Sequence, residues 1–335
     1  MTEKDERYLP LIAAAAGTAM ALAYMALSGA WNAPPVADGV LYQSLAESLA
    51  SGHGLQSAGY YSLRVPGYPG FLAAVYSLFG AAPLYARLAQ TLLFGLCCGL
   101  LYRTARLRFD SRVSLAAALL LAASYDAFIT PSQILSECLF MALLLAGVHL
   151  SLRAEEPGRG TAALAAEGAV YGLAYLVRQE ALIVIAAALF IRWLYGGRRL
   201  PGRTVLLPAL SLSLVIGAWG ARNWRVHGRF FVGTTMSYRH LLAANHIVFS
   251  RLGCDFSSIG LTAEQIDEVQ GIKDEFKREE KRKEWTSEMF RMVGPRTLAR
   301  SVAFKIGSFC SPFLPVYALP YMLALPFLLA GLYLN

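Results

Sequence analysis

Charge is scarce in this chain. Asp, Glu, Lys and Arg supply 16% of its 335 residues against 56% hydrophobic, and the mean hydropathy is +0.46. That balance excludes a water-soluble domain and leaves a polytopic membrane protein. Cysteine is sparse too. Of the five, Cys97, Cys98 and Cys138 fall inside apolar runs, where a thiol packs as a small hydrophobe. Only Cys254 and Cys310 are placed to meet, so no disulfide framework is expected. Dense clusters of acids are absent, and His53, His240 and His246 have no ligand-like spacing. No internal repeat is visible, which counts against a transporter built from two related halves. No small-residue cleavage site follows the first apolar stretch, so that stretch is expected to stay as an anchor. The net charge of +8 sits in short arginine clusters between apolar runs. There it sets orientation in a bilayer rather than a nucleic-acid footprint, and nucleic acid is excluded as a partner.

What is present is a series of runs long enough to cross a membrane at about 20 residues each. They cover about 9–29, 83–102, 113–130, 133–152, 161–177, 180–196, 204–222 and 316–334. The run from Thr161 to Tyr195 is too long for one crossing, so Arg178-Gln-Glu180 is read as a tight turn between two helices. The stretch from Gly67 to Gly80 is short for a span and reads as an interfacial helix. With that stretch kept out of the bilayer, Lys4 and Arg7, the group Arg103, Arg106, Arg108 and Arg112, the pair Arg153 and Arg159, and Arg198, Arg199 and Arg203 all face the cytoplasm. The segment around Asp38 and the polar region 223–300 then share the outer face. The expected fold is an all-α polytopic bundle of about eight spans, with interfacial helices in its first outer loop. Its organisation is a transmembrane module 1–222 with that loop at 31–82, an outer polar region 223–300, and a last segment and span 301–335.

Asp38 stands just beyond the outer end of the first span, where a carboxylate is costly to hold and useful for chemistry on a lipid-borne substrate. Group transfer from such a lipid-borne substrate would need a base for the attacking hydroxyl, cations for a departing anion and a dry recess. Asp38 is the candidate base; the competing reading makes it the cap of a helix running to Ala50. Arg64, Arg178 and Arg222 are the candidate phosphate ligands, because a guanidinium gives paired donors that never lose their charge. Snorkelling is the alternative for each. Glu137 and Asp126 are candidate second acids, and Tyr42, His53, Tyr60, Tyr61, Tyr68 and Asn223 candidate cavity residues. A divalent cation is compatible with this set and not required by it.

The order Asp38, Tyr42, Gly52, Gly54, Arg64, Pro66-Gly-Tyr-Pro69, Leu78-Phe-Gly80 and Arg87-Leu-Ala-Gln90 resembles the first outer loop and second span of the GT-C glycosyltransferases. Within them it is most similar to the protein-mannosyltransferase and aminoarabinose-transferase-like group. Ser136-Glu137, Gly172-Leu-Ala-Tyr-Leu-Val-Arg178-Gln-Glu180 and Ala221-Arg-Asn-Trp224 extend the likeness. The resemblance implies a GT-C-like bundle, a polyprenyl-phosphate-linked sugar as donor and an acceptor lipid, glycan or protein. It also implies inverting transfer at the outer face of a plasma or inner membrane, with Asp38 as base. Two departures stand out. Members of the group usually continue through further spans, whereas this sequence stops at Asn335, as a short or truncated form would. Some also carry an Asp-Glu pair where this chain has Asp38-Gly39. The second function class is a transporter or flippase for a lipid-linked or anionic solute.

Overall fold

The computed structural model describes residues 6–154, 160–195, 202–254, 268–269 and 271–310. The expected last span, 316–334, and the loop arginines Arg159, Arg198 and Arg199 lie outside them. Among the described residues the secondary structure is helical, with an isolated antiparallel bridge between Ser57 and Tyr60 and no strand. The contacts divide the chain into two compact units, Met1–Gly233 and Thr234–Asn335.

The first unit begins with α1 (Leu9–Ser28), opened by Pro10 in its first turn and closed by Gly29, whose φ of 67° lets its N–H return to the Met25 carbonyl. α2 (Asp38–Ala50) and α3 (Gly67–Phe79) follow in the first loop, and α4 (Pro83–Ala105) returns across the bundle. α1 and α4 pack at unusually close range through Gly95. A Cβ there would sit 2.7 Å from the Ala14 carbonyl oxygen and closer still to Thr18 Oγ1. α5 (Ser111–Ala123) starts under a side-chain cap, with Asp110 Oδ1 accepting from the Val113 N–H at 2.8 Å. The bundle continues with α6 (Tyr125–Ile129), α7 (Glu137–Ala154), α8 (Thr161–Val177), α9 (Ala181–Tyr195) and α10 (Gly202–His227).

Three described helices are long and apolar enough to cross a membrane: Leu9–Ser28, Pro83–Ala105 and Thr204–His227. Thr161–Val177 is a shorter apolar helix, so the expected count of eight is not reached among the described residues. The run expected to cross at 113–130 is interrupted. Ser111–Ala123 and Tyr125–Ser132 meet at a 58° bend, because Ser124 leaves the helical region with φ −68° and ψ 119°. The run at 133–152 is also shifted, since Pro131 and an extended Gln133 delay α7 until Glu137. Leu92 and Leu96 on α4 and Leu206 and Leu214 on α10 are exposed on helices of span length. A lipid solvent removes the cost that water would impose on such a surface.

The second unit is built from α11 (Ser237–Arg251), α12 (Glu275–Met292) and α13 (Pro295–Cys310). Its core joins Leu242, Phe249, Val269, Trp285, Met289 and Val293. α12 is capped by Asp274, which accepts from the N–H groups of Phe276 and Lys277. Its charge run is not all solvated. Arg278 and Glu279 are buried, Glu279 bonding Arg282 and the Tyr238 N–H, while Glu275 accepts from Thr235 Oγ1. Cys254 is a free thiol, and the side chain of Cys310 lies outside the described residues.

Candidate active site

Asp38 is the first residue of α2, behind a tight turn in which the Gly39 N–H donates to the Val36 carbonyl at 2.9 Å. The turn holds Ala37 at φ 50° and ψ −123°, a conformation that favours glycine and costs about 1–3 kcal/mol for another residue. No side chain caps the helix; the Asp38 carboxylate instead accepts from Arg64 Nη2 at 2.8 Å. The cap reading is thereby set aside. The Asp38 side chain is 57% exposed and that of Arg64 only 13%.

Arg64 is brought to Asp38 by packing within the first loop. Gly67, three residues on, presses α3 against the end of α8, where a Cβ would stand 2.6 Å from the Leu176 carbonyl oxygen. That contact carries the Arg64 segment to the Arg178 turn, which the structure places where the sequence reading did, between Val177 and Ala181. Arg178 Nη1 donates to Glu137 Oε1 at 2.6 Å and to Ser136 Oγ at 3.5 Å, and Glu180 approaches its Nε at 3.7 Å. Glu137 is the first residue of α7 and partly exposed.

Tyr42 lies between the two ion pairs. Arg64 stacks over its ring at 5.7 Å, its hydroxyl is hydrogen-bonded with Ser136, and its charged neighbours are Arg64, Asp38 and Arg178. Burial pushes its pKa above the ordinary phenol value, while the Ser136 bond and the arginines pull the other way. Tyr42 thus stays protonated at neutral pH and acts as a hydrogen-bond group, not a base. Asp38, Arg64, Tyr42, Ser136, Glu137 and Arg178 make one polar cluster with two cations and two acids.

The other sequence candidates fall elsewhere. Arg222 Nη1 donates to the Tyr61 carbonyl, Ser62 Oγ and Asn223 Oδ1, Nη2 donates to the Leu55 carbonyl, and the guanidinium lies 4.9 Å over Trp219. It fastens the loop 55–62 to α10. Asn223 is fully buried in the same fastening, with Nδ2 donating to the Phe231 carbonyl. Tyr68 is also fully buried; its hydroxyl donates to Gln90 Oε1 at 2.7 Å, so its ring is core and not cavity wall. Tyr61 is 40% exposed beside His227, and Tyr60 pairs with Ser57 across the isolated bridge. His53 lines a shallow pocket of ≈ 460 Å³ with Ser44, Glu47, Ser48 and Gln56. Its lining residues on α2, Ser44, Glu47 and Ser48, lie about 9–15 Å along the helix from Asp38 at 1.5 Å per residue. Asp126 lies on α6, whose Tyr125 and Phe128 pack on Tyr24. No group of three or more His, Cys, Asp and Glu among the described residues is arranged to hold a metal ion.

The sequence reading named Arg87 and Gln90 only as pattern. Both are buried, and they position the loop: Arg87 donates to the carbonyls of Trp31, Ala33 and Ser132, and Gln90 to those of Pro131 and Gln133. The signal was available, since a polar pair three residues apart inside an apolar helix must find partners in the interior.

The family model described as dolichyl-phosphate-mannose-protein mannosyltransferase matches residues 64–219. Curated proteins give no match. Among solved structures, the crystal structure of ArnT from Cupriavidus metallidurans bound to undecaprenyl phosphate is similar in fold, with a TM-score of 0.53 at 15% identity. The likeness covers 88% of this chain and 64% of that one, so the chain spans less than two thirds of that protein's length. The family model covers rather less than half of the chain, and the solved structure shares its helical fold.

Proposed function

We propose that the chain is a membrane glycosyltransferase that moves a sugar from a polyprenyl-phosphate donor to an acceptor hydroxyl at the outer membrane face, with inversion at the anomeric carbon. The acceptor is a lipid, a glycan or a protein. The observation that carries the reading is the cluster around Tyr42, which gathers Asp38, Arg64, Ser136, Glu137 and Arg178 at the ends of α2, α7 and α8. In the proposed step the acceptor oxygen forms a bond to the anomeric carbon as the bond from that carbon to the phosphate oxygen breaks. Asp38 takes the acceptor's proton, and the electron pair leaves on the phosphate. Arg64 and Arg178 bear the charge that builds there, each offering a planar fork of donors. Arg222, committed to the loop, is not given a phosphate role. The similar ArnT structure holds undecaprenyl phosphate, the type of carrier this reading requires.

The test is transfer of labelled sugar from a polyprenyl-phosphate sugar by the purified full chain. Asp38→Asn should fold with an unchanged circular dichroism spectrum and lose about 10²–10⁴-fold in turnover, the range for removing a general base. A folded Asp38→Asn protein that keeps full turnover would remove the mechanism. Movement of the lipid in proteoliposomes without covalent change would replace it by a flippase.

A further inference from the structure

We infer that α13 is a membrane-surface helix, whose exposed apolar row, bordered by Arg296 and Arg300, docks on a bilayer carrying anionic headgroups. The inference is independent of the sugar-transfer reading, because it concerns what holds the second unit and not the chemistry at Asp38.

The faces of α13 are arranged against the usual rule. The side turned to its own unit carries Ser301, which is buried and donates from Oγ to the Leu298 carbonyl at 2.7 Å, together with the half-buried Thr297 and Phe304. The outward side carries Leu298, Val302 and Ile306, which are 41%, 50% and 59% exposed. Spaced four apart, they line up along one face, and the exposed Ala299 and Ala303 widen the row. At about 100° per residue, Arg296 and Arg300 fall along one border of this row. Both are exposed, and neither has an ion-pair partner among the described residues. Lys305 falls along the other border, and its Nζ donates to Asn245 Oδ1 at 2.6 Å. That bond ties α13 to α11 and leaves the apolar row facing away from the unit.

Water penalises a continuous row of this kind, whereas a bilayer interface accepts it. The aliphatic groups enter the boundary of the acyl chains, and the two guanidinium forks meet headgroup phosphates with their stems along the hydrocarbon. With 16 residues and three basic side chains, α13 is too short and too charged to cross, so it lies along the surface. A second copy of the helix fits the row less well. Pairing two such faces would set Arg296 and Arg300 against their own counterparts, and like charges at an interface are repelled.

The experiment reads the depth of a fluorophore on α13. The full chain carrying Cys254→Ser, Cys310→Ser and Val302→Cys is labelled with the dye NBD and placed in nanodiscs of phosphatidylcholine, with or without phosphatidylglycerol. The label at 302 should emit at shorter wavelength and be quenched by doxyl-labelled lipid, more strongly when phosphatidylglycerol is present. A label at Glu284→Cys, on the exposed side of α12, should keep a water-like spectrum. Arg296→Gln and Arg300→Gln should each lower the ratio of docked to undocked helix by about fivefold in the anionic nanodiscs. A water-like label at 302 overturns the inference. A blue shift without quenching by lipid overturns it too, because the row is then covered by protein, either a second copy or residues 311–335. Quenching that is indifferent to phosphatidylglycerol and to both arginine substitutions overturns the choice of anionic headgroups.

Discussion

Tyr42 joins Arg64 and Ser136 within the cluster and stays protonated at neutral pH. Its ring edge meets Tyr68 at 4.8 Å between centroids, its face carries Arg64, and its hydroxyl bonds Ser136. Tyr42→Phe keeps the first two contacts and loses the third. It should cost about 1 kcal/mol of stability, the net worth of one hydrogen bond, and lower turnover more than that figure implies, because Ser136 also aligns Arg178. Thermal unfolding and turnover measured together decide this; equal small losses in both would make Tyr42 a packing residue only. Ala37→Gly removes a strained φ immediately before Asp38, and it should raise the melting temperature of the purified protein while leaving its helix content unchanged. At this scale the sequence marks Asp38 as an acid at a place where acids are rare, and the structure adds its ion pair with Arg64. The partner of Asp38 was not legible, because Arg64 reaches it across a loop whose path no local pattern encodes. Arg222 shows the same limit from the other side. Its position at a helix end suited a phosphate ligand, but backbone carbonyls of the first loop had prior claim on its donors.

α3 and α8 meet where a side chain would not fit, and the geometry of the cluster depends on that approach. Gly67→Ala puts a methyl 2.6 Å from the Leu176 carbonyl oxygen, so α3 must back away from α8. The expected cost is about 1–3 kcal/mol from overpacking. Turnover should fall at least tenfold, since Arg64 and Arg178 are separated by the same movement. A crystal or cryo-EM structure of the variant with both arginines unmoved would dissociate the helix contact from the site. Helix existence and type were readable from apolar runs: α1, α4, α8 and α10 lie close to the expected spans, and the short α3 was foreseen as a half-length helix. The break at Ser124 was not. A serine in an apolar run is ordinary, and only the need to bring Pro131 and Gln133 to Gln90 gives the chain a reason to turn there.

Over the whole molecule, arginine placement between apolar runs is the argument for which side the cluster faces. Single cysteines test it. The native Cys97, Cys98 and Cys138 are buried and should not react with an impermeant maleimide. His53→Cys, on the exposed part of the first loop, should label in intact cells, and Phe109→Cys, beside Arg103, Arg106 and Arg108, only after permeabilisation. The reverse pattern would put the proposed active site in the cytoplasm. The helical class was legible from composition, whereas the number of spans was not. Pieces such as α6, α8 and α9 are too short to be told from half-crossings by hydropathy alone.

Arg87 has a final consequence. Its three donors end on the main-chain oxygens of Trp31, Ala33 and Ser132, so what it recognises is the path of the backbone and not the identity of the residues along it. Side chains at 31 and 33 are therefore free to vary between natural variants while the route from the first helix into the loop before α2 stays the same. Arg87→Met has no such latitude. It strands several carbonyls in the interior, at about 1–3 kcal/mol for each one left without a donor, and deep mutational scanning should find position 87 intolerant beside a permissive 31 and 33.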